Sequence, residues 1–424
     1  MKTSYYEKFS FLAKKIMLLF VLTSFCLSLL AQENAADTIP AQKEKKKSKN
    51  KIIWMPVLAS SPANGFMFGV APAMNWKMGK KPETTSYSSL LGSVVYTTKK
   101  QFLFTLKGTV FFENNNAILM QDVRYFKTSQ PTFGLGTGPA TSKLASSGFE
   151  FDDGSFSNGI ATSQLMKFNF FRLHETYFRR IKSSKIYAGL GYHLDIHSKI
   201  EDQLLKLDST PPTITSHYAY SVDNDFKPEK YVLSGISANL LFDNRDNTVN
   251  PYKGNYELLT FKYNPTFLGS SKNSGTIWAE GRKFFGLSKA RERNVLGVWL
   301  YGNFQIGGAL PYLDLPSLGW DQFGRSGRGY PQGRFRGQSL LYGETEWRFP
   351  LQKTKEKWGG VLFLNSTSAT NKAANIKIFD YLNLGYGAGI RFMISEKSRT
   401  NLCIDYGMGN YGSKGFYLSV NEVF

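Results

Sequence analysis

The sequence predicts an all-β fold, a transmembrane antiparallel β-barrel of sixteen strands. Three observations lead to this fold class. The chain of 424 residues opens with a secretion signal. The remainder has no run of the ~20 apolar residues that a membrane-spanning helix needs. Most of that remainder alternates between apolar and polar or glycine residues over segments of about ten residues, as the strands of outer-membrane barrels do.

Residues 1–31 have the three parts of a secretory signal peptide. Four lysines precede an apolar stretch that begins at Ile16 and ends at Leu30, and the small residue Ala31 follows. Cleavage after Ala31 is therefore expected. A lipoprotein signal centred on Cys26 is a weaker interpretation, because bulky Phe25 occupies the preceding position, where lipid attachment needs a small residue.

The mature chain is strongly basic. Residues 1–31 contribute +3 of the net charge of +20, which leaves +17. Such an excess attracts polyanions, and because secretion excludes nucleic acid, we expect outer-membrane lipid and lipopolysaccharide as partners. Residues 32–51 form a basic tail that we expect in the periplasm, with six of its residues being lysines: Lys43, Lys45, Lys46, Lys47, Lys49 and Lys51. Cys403 is then the only cysteine left, so no internal disulfide is expected.

Residues 52–424 are predicted to form the barrel, and the alternation is clearest near their end. Within residues 381–392, Leu384, Tyr386 and Ile390 fall on one face of a strand, whereas Asn383 and Arg391 fall on the other. Such a strand suits a wall between lipid and a wet lumen. A soluble sandwich would alternate too, so the signal peptide and the many repeats decide for the membrane.

Sixteen strands follow from this alternation. They are predicted at residues 52–59, 65–78, 87–97, 101–112, 117–127, 164–180, 185–199, 231–243, 255–267, 275–287, 294–307, 339–351, 358–368, 381–394, 401–410 and 415–424. If the N-terminal end lies in the periplasm, the long connections 128–163, 200–230 and 308–338 all fall outside, as expected of such barrels. The strand at 164–180 alternates poorly around Phe170 and Phe171, which indicates a bulge.

Short motifs recur in a fixed order along the chain. They are Asp243-Asn244-Arg245-Asp246-Asn247 before Pro251 and Gly254, Gly327-Arg328-Gly329-Tyr330-Pro331, Glu344 to Leu351, Gly387 to Phe392, and Ile404-Asp405-Tyr406-Gly407. Taken in order, they resemble the bacterial surface antigen superfamily, the BamA/TamA type of outer-membrane assembly and translocation barrel. The likeness covers nearly the whole mature chain.

The resemblance implies a lumen-loop motif of Arg328, Gly329 and Tyr330, in a long extracellular loop that folds into the barrel. In that family the arginine contacts acidic side chains of the inner wall. Alternation places Glu344 and Glu346 on the inner face, so we expect Arg328 to pair with one of them. The alternative is a solvated basic loop.

At one inner-wall position this chain departs from the family. Asn365 stands where relatives usually carry an aspartate, which leaves the arginine with less charge compensation. The loop latch is then either looser or held by the two glutamates alone.

Two further motifs have expected places in the barrel. Asp243, Arg245, Asp246, Pro251 and Gly254 are predicted to form a periplasmic turn. The end of the chain resembles the signal that directs barrels to insertion, with its apolar residues on one strand face: Phe416, Leu418, Val420 and Phe424.

The resemblance also sets limits on function. Assembly members carry periplasmic POTRA domains before the barrel, and residues 32–51 are too short for one, so a client-docking role is not transferred. Family barrels are thought to open between their first and last strands. Pro56 removes a ladder donor from the first strand, which favours a weak seam unless Pro56 lies outside the paired region.

Enzymatic interpretations have little support. His193, Asp195 and His197 share one strand face, a spacing compatible with a metal ion, but lumen-facing polar residues are ordinary in barrels. None of the four histidines lies in a nucleophile motif, and the glycine-rich stretch at 134–138 lacks the strand-to-helix context of a phosphate loop. No metal or cofactor is expected.

We therefore expect a non-enzymatic outer-membrane barrel that assists insertion or translocation of protein or lipid, with periplasmic or outer-membrane proteins as partners. A passive diffusion channel is the alternative. An outer-membrane hydrolase ranks third.

Overall fold

Alternating sequences build one continuous antiparallel sheet in this protein. The structure is a computed structural model, and it describes residues 52–61, 65–138, 164–322, 324–353 and 357–424. The signal peptide and the basic tail lie outside the described residues and stay predictions.

The described residues form sixteen strands, which confirms the predicted number. They are β1 (Ile53–Ser61), β2 (Gly65–Trp76), β3 (Ser88–Thr97), β4 (Phe102–Phe111), β5 (Ala117–Thr132), β6 (Gln164–Arg180), β7 (Ile186–Asp202), β8 (Lys230–Asp243), β9 (Gly254–Asn264), β10 (Ser274–Gly286), β11 (Val295–Gly308), β12 (Ser339–Pro350), β13 (Trp358–Ala369), β14 (Asn383–Ser395), β15 (Thr400–Gly409) and β16 (Lys414–Val420).

Each strand pairs with the next along the chain, from β1 to β16. The sheet curls enough to bring its two ends together at one rim, where the Asn75 side-chain amide of β2 donates to the Thr400 hydroxyl of β15 at 2.8 Å. Among the described residues no ladder joins β1 to β16. We call the gap between these two edge strands the seam.

The two faces of the sheet differ as the alternation predicts. On β14, Leu384, Tyr386 and Ile390 are about half exposed, whereas Asn383 and Arg391 are each 2% exposed. Apolar side chains therefore face outward, and polar and charged ones face the barrel interior, which we call the lumen.

Apart from residues 139–163, which lie outside the described residues, the long connections all leave the sheet at one end, after odd-numbered strands, as predicted. One of them carries the helix α1 (Ser216–Asp223), whose N-cap residue Thr215 accepts a hydrogen bond from the Tyr218 backbone. Single 3-10 turns occur at Pro82–Thr84, Glu113–Asn115, Thr266–Leu268 and Tyr312–Asp314. Within the described part of the chain, no helix is long and apolar enough to cross a membrane.

Two local expectations were partly wrong. The irregularity in β6 lies between Lys167 and Asn169, where the pairing with β7 shifts by one residue, rather than at Phe170. The left-handed backbone of Lys199 (φ 52°) on β7 accounts for the shift. The alternative that Pro56 lies outside the paired region is wrong, because Pro56 lies opposite Val70 of β2, and the weak seam stays a prediction.

Candidate functional site

The connection between β11 and β12, residues 309–338, folds into the lumen, and we call it the luminal loop. Its backbone bends back on itself, with Leu318 donating to Phe335 and Gly333 donating to Leu318. Gly329 has φ 103°, and a Cβ atom there would lie 2.6 Å from the Met408 carbonyl oxygen of β15. Only glycine lets the loop approach the wall this closely.

Arg328 is the centre of the contact between the luminal loop and the wall. Its Nη2 donates to both Glu344 and Glu346 of β12, and its Nη1 donates to Asp405 of β15 at 2.6 Å. The guanidinium also lies 3.7 Å from the ring centre of Phe363 on β13. Because this side chain is only 2% exposed, its charge is neutralised by ion pairs rather than by water. We call Arg328 and these three carboxylates the latch.

Asn365 contributes to the latch in a different way from the expected one. Its amide nitrogen donates to the backbone oxygen of Arg328 at 2.9 Å, and so it holds the loop backbone rather than the charge. The third carboxylate comes from Asp405 on another strand. The expectation that the two glutamates act alone is therefore wrong, because the curl of the wall brings β15 to the same arginine.

Tyr330 extends the contact toward the last strands. Its hydroxyl donates to the Leu384 carbonyl and accepts from the Asn410 backbone at 2.9 Å. The Tyr417 hydroxyl accepts from the Gly329 backbone at 2.8 Å and donates to the Tyr330 carbonyl at 3.2 Å. The predicted lumen-loop motif thus lies against β14, β15 and β16 together.

A second layer of charges surrounds the latch. Arg391 of β14 donates to Asp405 at 2.5 Å and to Glu422 at 2.8 Å, while Arg348 of β12 donates to Glu346 at 2.8 Å. Sequence reasoning did not assign Arg391, Asp405 or Glu422 to the site, since only the curled wall brings them together.

The luminal loop has a second anchor on the opposite wall, and we call it the second footing. Arg124 of β5 donates from Nη2 to the backbone oxygens of Asp321 (3.3 Å) and Gln322 (3.0 Å). Its Nε donates to Asp122 at 2.7 Å. The Trp320 ring centre lies 5.8 Å from the guanidinium carbon of Arg124 and 5.8 Å from that of Arg172. The loop therefore spans the lumen from one wall to the other.

Asp122 and Arg124 belong to a repeated arrangement. Residues two apart on a strand share a face, and in four acid-x-Arg pairs the arginine Nε donates to the carboxylate at 2.7–2.9 Å, namely Asp122–Arg124, Asp243–Arg245, Glu280–Arg282 and Glu346–Arg348. Three of the four pairs lie within predicted strands, and this spacing is a signal that sequence reasoning could have used.

The predicted periplasmic turn motif lies between β8 and β9. Asp246 Oδ1 accepts from the backbones of Tyr252 and Lys253 at 2.9 and 3.2 Å. Pro251 is buried within the turn. Gly254 has φ 107°, and a Cβ atom there would meet the Asn244 carbonyl at 2.6 Å. The motif therefore shapes a rigid turn.

The three residues with metal-compatible spacing face the lumen but separate into different contacts. His193 contacts the Ser237 hydroxyl at 2.7 Å, Asp195 accepts from Arg172 at 2.6 Å and lies 2.8 Å from His174, and His197 lies 3.2 Å from Asp314 of the luminal loop. Among the described residues no group of three potential ligands is arranged to hold a metal ion. The stretch at 134–138 packs instead against the luminal loop, where the Gly136 backbone donates to Arg336.

The end of the chain differs from its predicted arrangement. Phe416 and Leu418 face outward, being 80% and 57% exposed, but Val420 and Phe424 are 2% and 4% exposed. Asn421 adopts a left-handed backbone (φ 67°), which ends the alternation. The Phe424 ring then packs in the lumen, 5.4 Å between centres from Trp299. The prediction of one shared face is wrong for Phe424, and the role of these residues in insertion stays a prediction.

The outer end of the luminal loop lies under a cap of aromatic side chains around α1. The Tyr220 hydroxyl donates to the Leu310 carbonyl at 3.0 Å, and the His217 ring centre lies 5.5 Å from that of Tyr312. Burial, reinforced by the nearby positive charge of Arg336, lowers the pKa of His217 to about 3. This imidazole is therefore neutral at neutral pH.

Comparison with known proteins agrees with this geometry. The family model of the Omp85 superfamily domain matches residues 167–424. The structure of BamA from Haemophilus ducreyi lacking POTRA domains 1–3 is similar at 12% identity with a TM-score of 0.51, covering 91% of this chain and 73% of that one. CdiB from Acinetobacter baumannii is similar at 12% identity with a TM-score of 0.50, covering 88% of this chain and 59% of that one. A comparison with curated proteins found no match.

The structural similarities support the barrel fold, and the family model covers more than half of the chain. The resemblance seen in the motifs is confirmed. The chain belongs to the Omp85 superfamily and is a β-barrel protein of the bacterial outer membrane.

Proposed function

We propose that this barrel assists the insertion or translocation of protein or lipid at the outer membrane, without enzymatic chemistry, and that it uses the seam to do so. Its partners are the lipid and lipopolysaccharide around it and the proteins that it helps to insert. The observation that carries the proposal is the contrast between a loop anchored at both walls and two sheet edges with no ladder between them among the described residues.

The seam has the properties of an edge that can accept another strand. An unpaired edge presents backbone N–H and C=O groups that template pairing, and an added strand gains affinity from those main-chain groups. β1 has nine residues and β16 has seven, fewer than any other strand. Short edge strands have fewer contacts to lose when they move apart.

The anchored loop also counts against a passive channel. Arg328 and Arg124 hold the loop to opposite walls, so the loop crosses the space that a diffusing solute would use. A cavity between the loop and the wall from β5 to β12 has a volume of about 200 Å³. Removing the anchors is expected to convert a closed barrel into a conducting one.

The proposal is tested by the folding of a client. A urea-unfolded eight-stranded outer-membrane barrel is diluted into liposomes with or without this protein, and its folding is followed by mobility on gels. We expect several-fold faster folding with the protein present. In a parallel arm, bleaching of a dye-labelled phospholipid measures movement of lipid between leaflets.

The seam is then locked by a cleavable thiol cross-linker between Trp54→Cys and Leu418→Cys. We expect the acceleration to disappear on locking and to return on cleavage. The matched control carries the cross-linker between Leu364→Cys and Tyr386→Cys, which pair directly on β13 and β14. Large, steady conductance with neither client folding nor lipid movement would refute the proposal in favour of a channel.

A further inference from the structure

The turn between β8 and β9, residues 244–253, reaches from the middle of the strand order to both sides of the seam. It leaves the sheet at β8 and β9, midway between the two edge strands. It nevertheless contacts the connection after β2 and the connection after β14, which flank the seam on its two sides. Strand pairing does not explain these contacts, because neither connection belongs to a strand that pairs with β8 or β9.

On the side of β15 the turn makes an ion pair. Arg399 Nη1 donates to Asp246 Oδ2 at 2.6 Å, and the Arg399 guanidinium lies 3.9 Å from the ring centre of Tyr252. The side chains of Arg399 and Asp246 are 25% and 17% exposed. The pair is thus partly shielded from water and stronger than a fully exposed one.

On the side of β2 the turn makes a hydrogen bond. The Thr248 hydroxyl donates to the Tyr87 carbonyl at 2.7 Å, just before β3 begins. At the short-turn end of the seam, Asn75 of β2 donates to Thr400 of β15 at 2.8 Å, and the Thr400 and Ser398 hydroxyls lie 2.7 Å apart. A continuous set of polar contacts therefore runs around the lower end of the seam.

The turn is rigid enough to transmit force between its two contacts. Asp246 and Asn247 accept backbone hydrogen bonds from within the turn at 2.8–3.2 Å, and Val249, Asn250 and Tyr252 are each less than a tenth exposed. Asp246 therefore uses one carboxylate oxygen to shape the turn and the other to hold Arg399. A loose turn would absorb a displacement, whereas this one resists it.

We propose that the β8–β9 turn is a staple that holds the two flanks of the seam together at the short-turn rim, so that the seam opens first at the opposite rim. The staple regulates the opening of the seam that the proposed function uses, and only its purpose rests on that function. The staple itself is a property of the barrel alone. Its contacts must break before β1 and β16 separate along their whole length.

The test measures the width of the seam flanks without any client. Nitroxide labels are placed by Lys80→Cys and Lys397→Cys, both exposed, in a full chain whose own two cysteines are replaced by alanine, and the distance distribution is recorded by pulsed electron resonance. We expect one narrow distribution in the parent. Arg399→Gln and Thr248→Val should each raise the separated population about threefold to tenfold.

Two further variants make the result specific. Lys272→Gln removes the same charge from an ion pair between two loops at the long-loop end and should leave the distribution unchanged. Arg399→Lys keeps a positive charge and a donor for Asp246 Oδ2, so it should broaden the distribution less than Arg399→Gln does. If Arg399→Gln does not fold, Thr248→Val carries the test, because it removes a single hydrogen bond.

Equal distributions in the parent, Arg399→Gln and Thr248→Val would overturn the staple. If the variants broaden the distance distribution but the parent does not accelerate client folding, the staple stands and the proposed function is refuted. If the parent accelerates client folding but the variants do not broaden the distribution, the proposed function stands and the staple is refuted.

Discussion

The two anchors of the luminal loop hold it by different chemistry. At the latch, Arg328 of the loop enters a cage of three wall carboxylates. At the second footing, Arg124 of the wall donates hydrogen bonds to backbone oxygens of the loop. The ion pairs of the latch therefore depend on which side chain the loop carries, whereas the hydrogen bonds of the second footing depend on where the loop backbone passes.

The latch therefore selects for the residue at position 328, whereas the second footing selects for the course of the loop backbone. The guanidinium of Arg328 is hard to replace, because its removal takes away the ion pair of buried Glu344 and leaves Glu346 and Asp405 to Arg348 and Arg391 alone. Backbone oxygens are present whatever the residue, so the hydrogen bonds from Arg124 tolerate a change of the side chain at residue 322. Asp321 is more constrained, because its carboxylate accepts from the Ser326 backbone at 2.9 Å. We infer that the latch sets whether the loop is docked, while the second footing sets where it crosses the lumen.

Replacing Arg328 should have the largest effect. Arg328→Gln leaves Glu344, Glu346 and Asp405 without the guanidinium, and we expect loop docking to lose about 3–5 kcal/mol. Hydrogen exchange across residues 318–338 should accelerate, and bilayer conductance should rise.

Arg334→Gln is the matched control, because it removes the same charge from the same loop at a side chain that stacks on the rings of Phe133, Phe335 and Tyr411 at 4.5–4.9 Å. An equal effect of both changes would show that loop charge in general, rather than the latch, docks the loop.

Replacing Arg124 should have a smaller and more local effect. Arg124→Gln removes hydrogen bonds from a charged donor, worth about 1.5–3 kcal/mol, while Asp122 keeps Arg172 at 3.7 Å. Hydrogen exchange should accelerate at residues 312–322 and stay slow at residues 327–331. Uniform acceleration over the whole loop would mean that the two anchors are one unit.

Acid should loosen the aromatic cap around α1, which covers the outer end of the luminal loop. The lowered pKa of His217 means that the opened cap binds a proton that the closed cap does not, so cap stability is full above the ordinary value near 6.5 and falls as the pH drops toward 3. At pH 5 the expected loss is about 1–2 kcal/mol.

The measurement is hydrogen exchange of α1 at pH 5 and pH 7.5, corrected for intrinsic rates. His217→Gln should remove the difference, since the glutamine does not titrate. A pH difference that persists in this variant would assign the effect to another group.

The smallest expected effect is the coupling between the anchors. If latch and second footing act independently, the docking losses of Arg328→Gln and Arg124→Gln should add to within about 0.5 kcal/mol in the double variant. Hydrogen exchange of the luminal loop, measured in the parent, the two single variants and the double variant, provides the double-mutant cycle. A larger coupling would show that the loop moves as a rigid strut.

The alternation and the turn residues were enough to predict the barrel and its sixteen strands, because each strand carries its inside and outside in its own sequence. The same local rule placed Glu344 and Glu346 on the inner face. Together with the motif resemblance, it brought Arg328 to them. These predictions needed no knowledge of which strands lie opposite one another.

The site residues that sequence reasoning missed contact partners that are far away in the chain. Asp405 and Arg391 reach the latch from strands that follow it by 40 or more positions in the chain, and Arg124 meets a loop 197 residues away. No spacing in the sequence encodes such pairs. The acid-x-Arg spacing could have identified Arg124 as a fixed inner-wall cation, but not what it holds.

The sequence by itself therefore determined the two-faced strands, their number and one side of the latch, since these follow from neighbours two residues apart. Only the tertiary structure decided the third carboxylate, the second footing, the inward course of Phe424 and the turn across the seam. Each of these depends on how far the sheet curls and how its strands are staggered, which is a property of the whole wall rather than of any single strand.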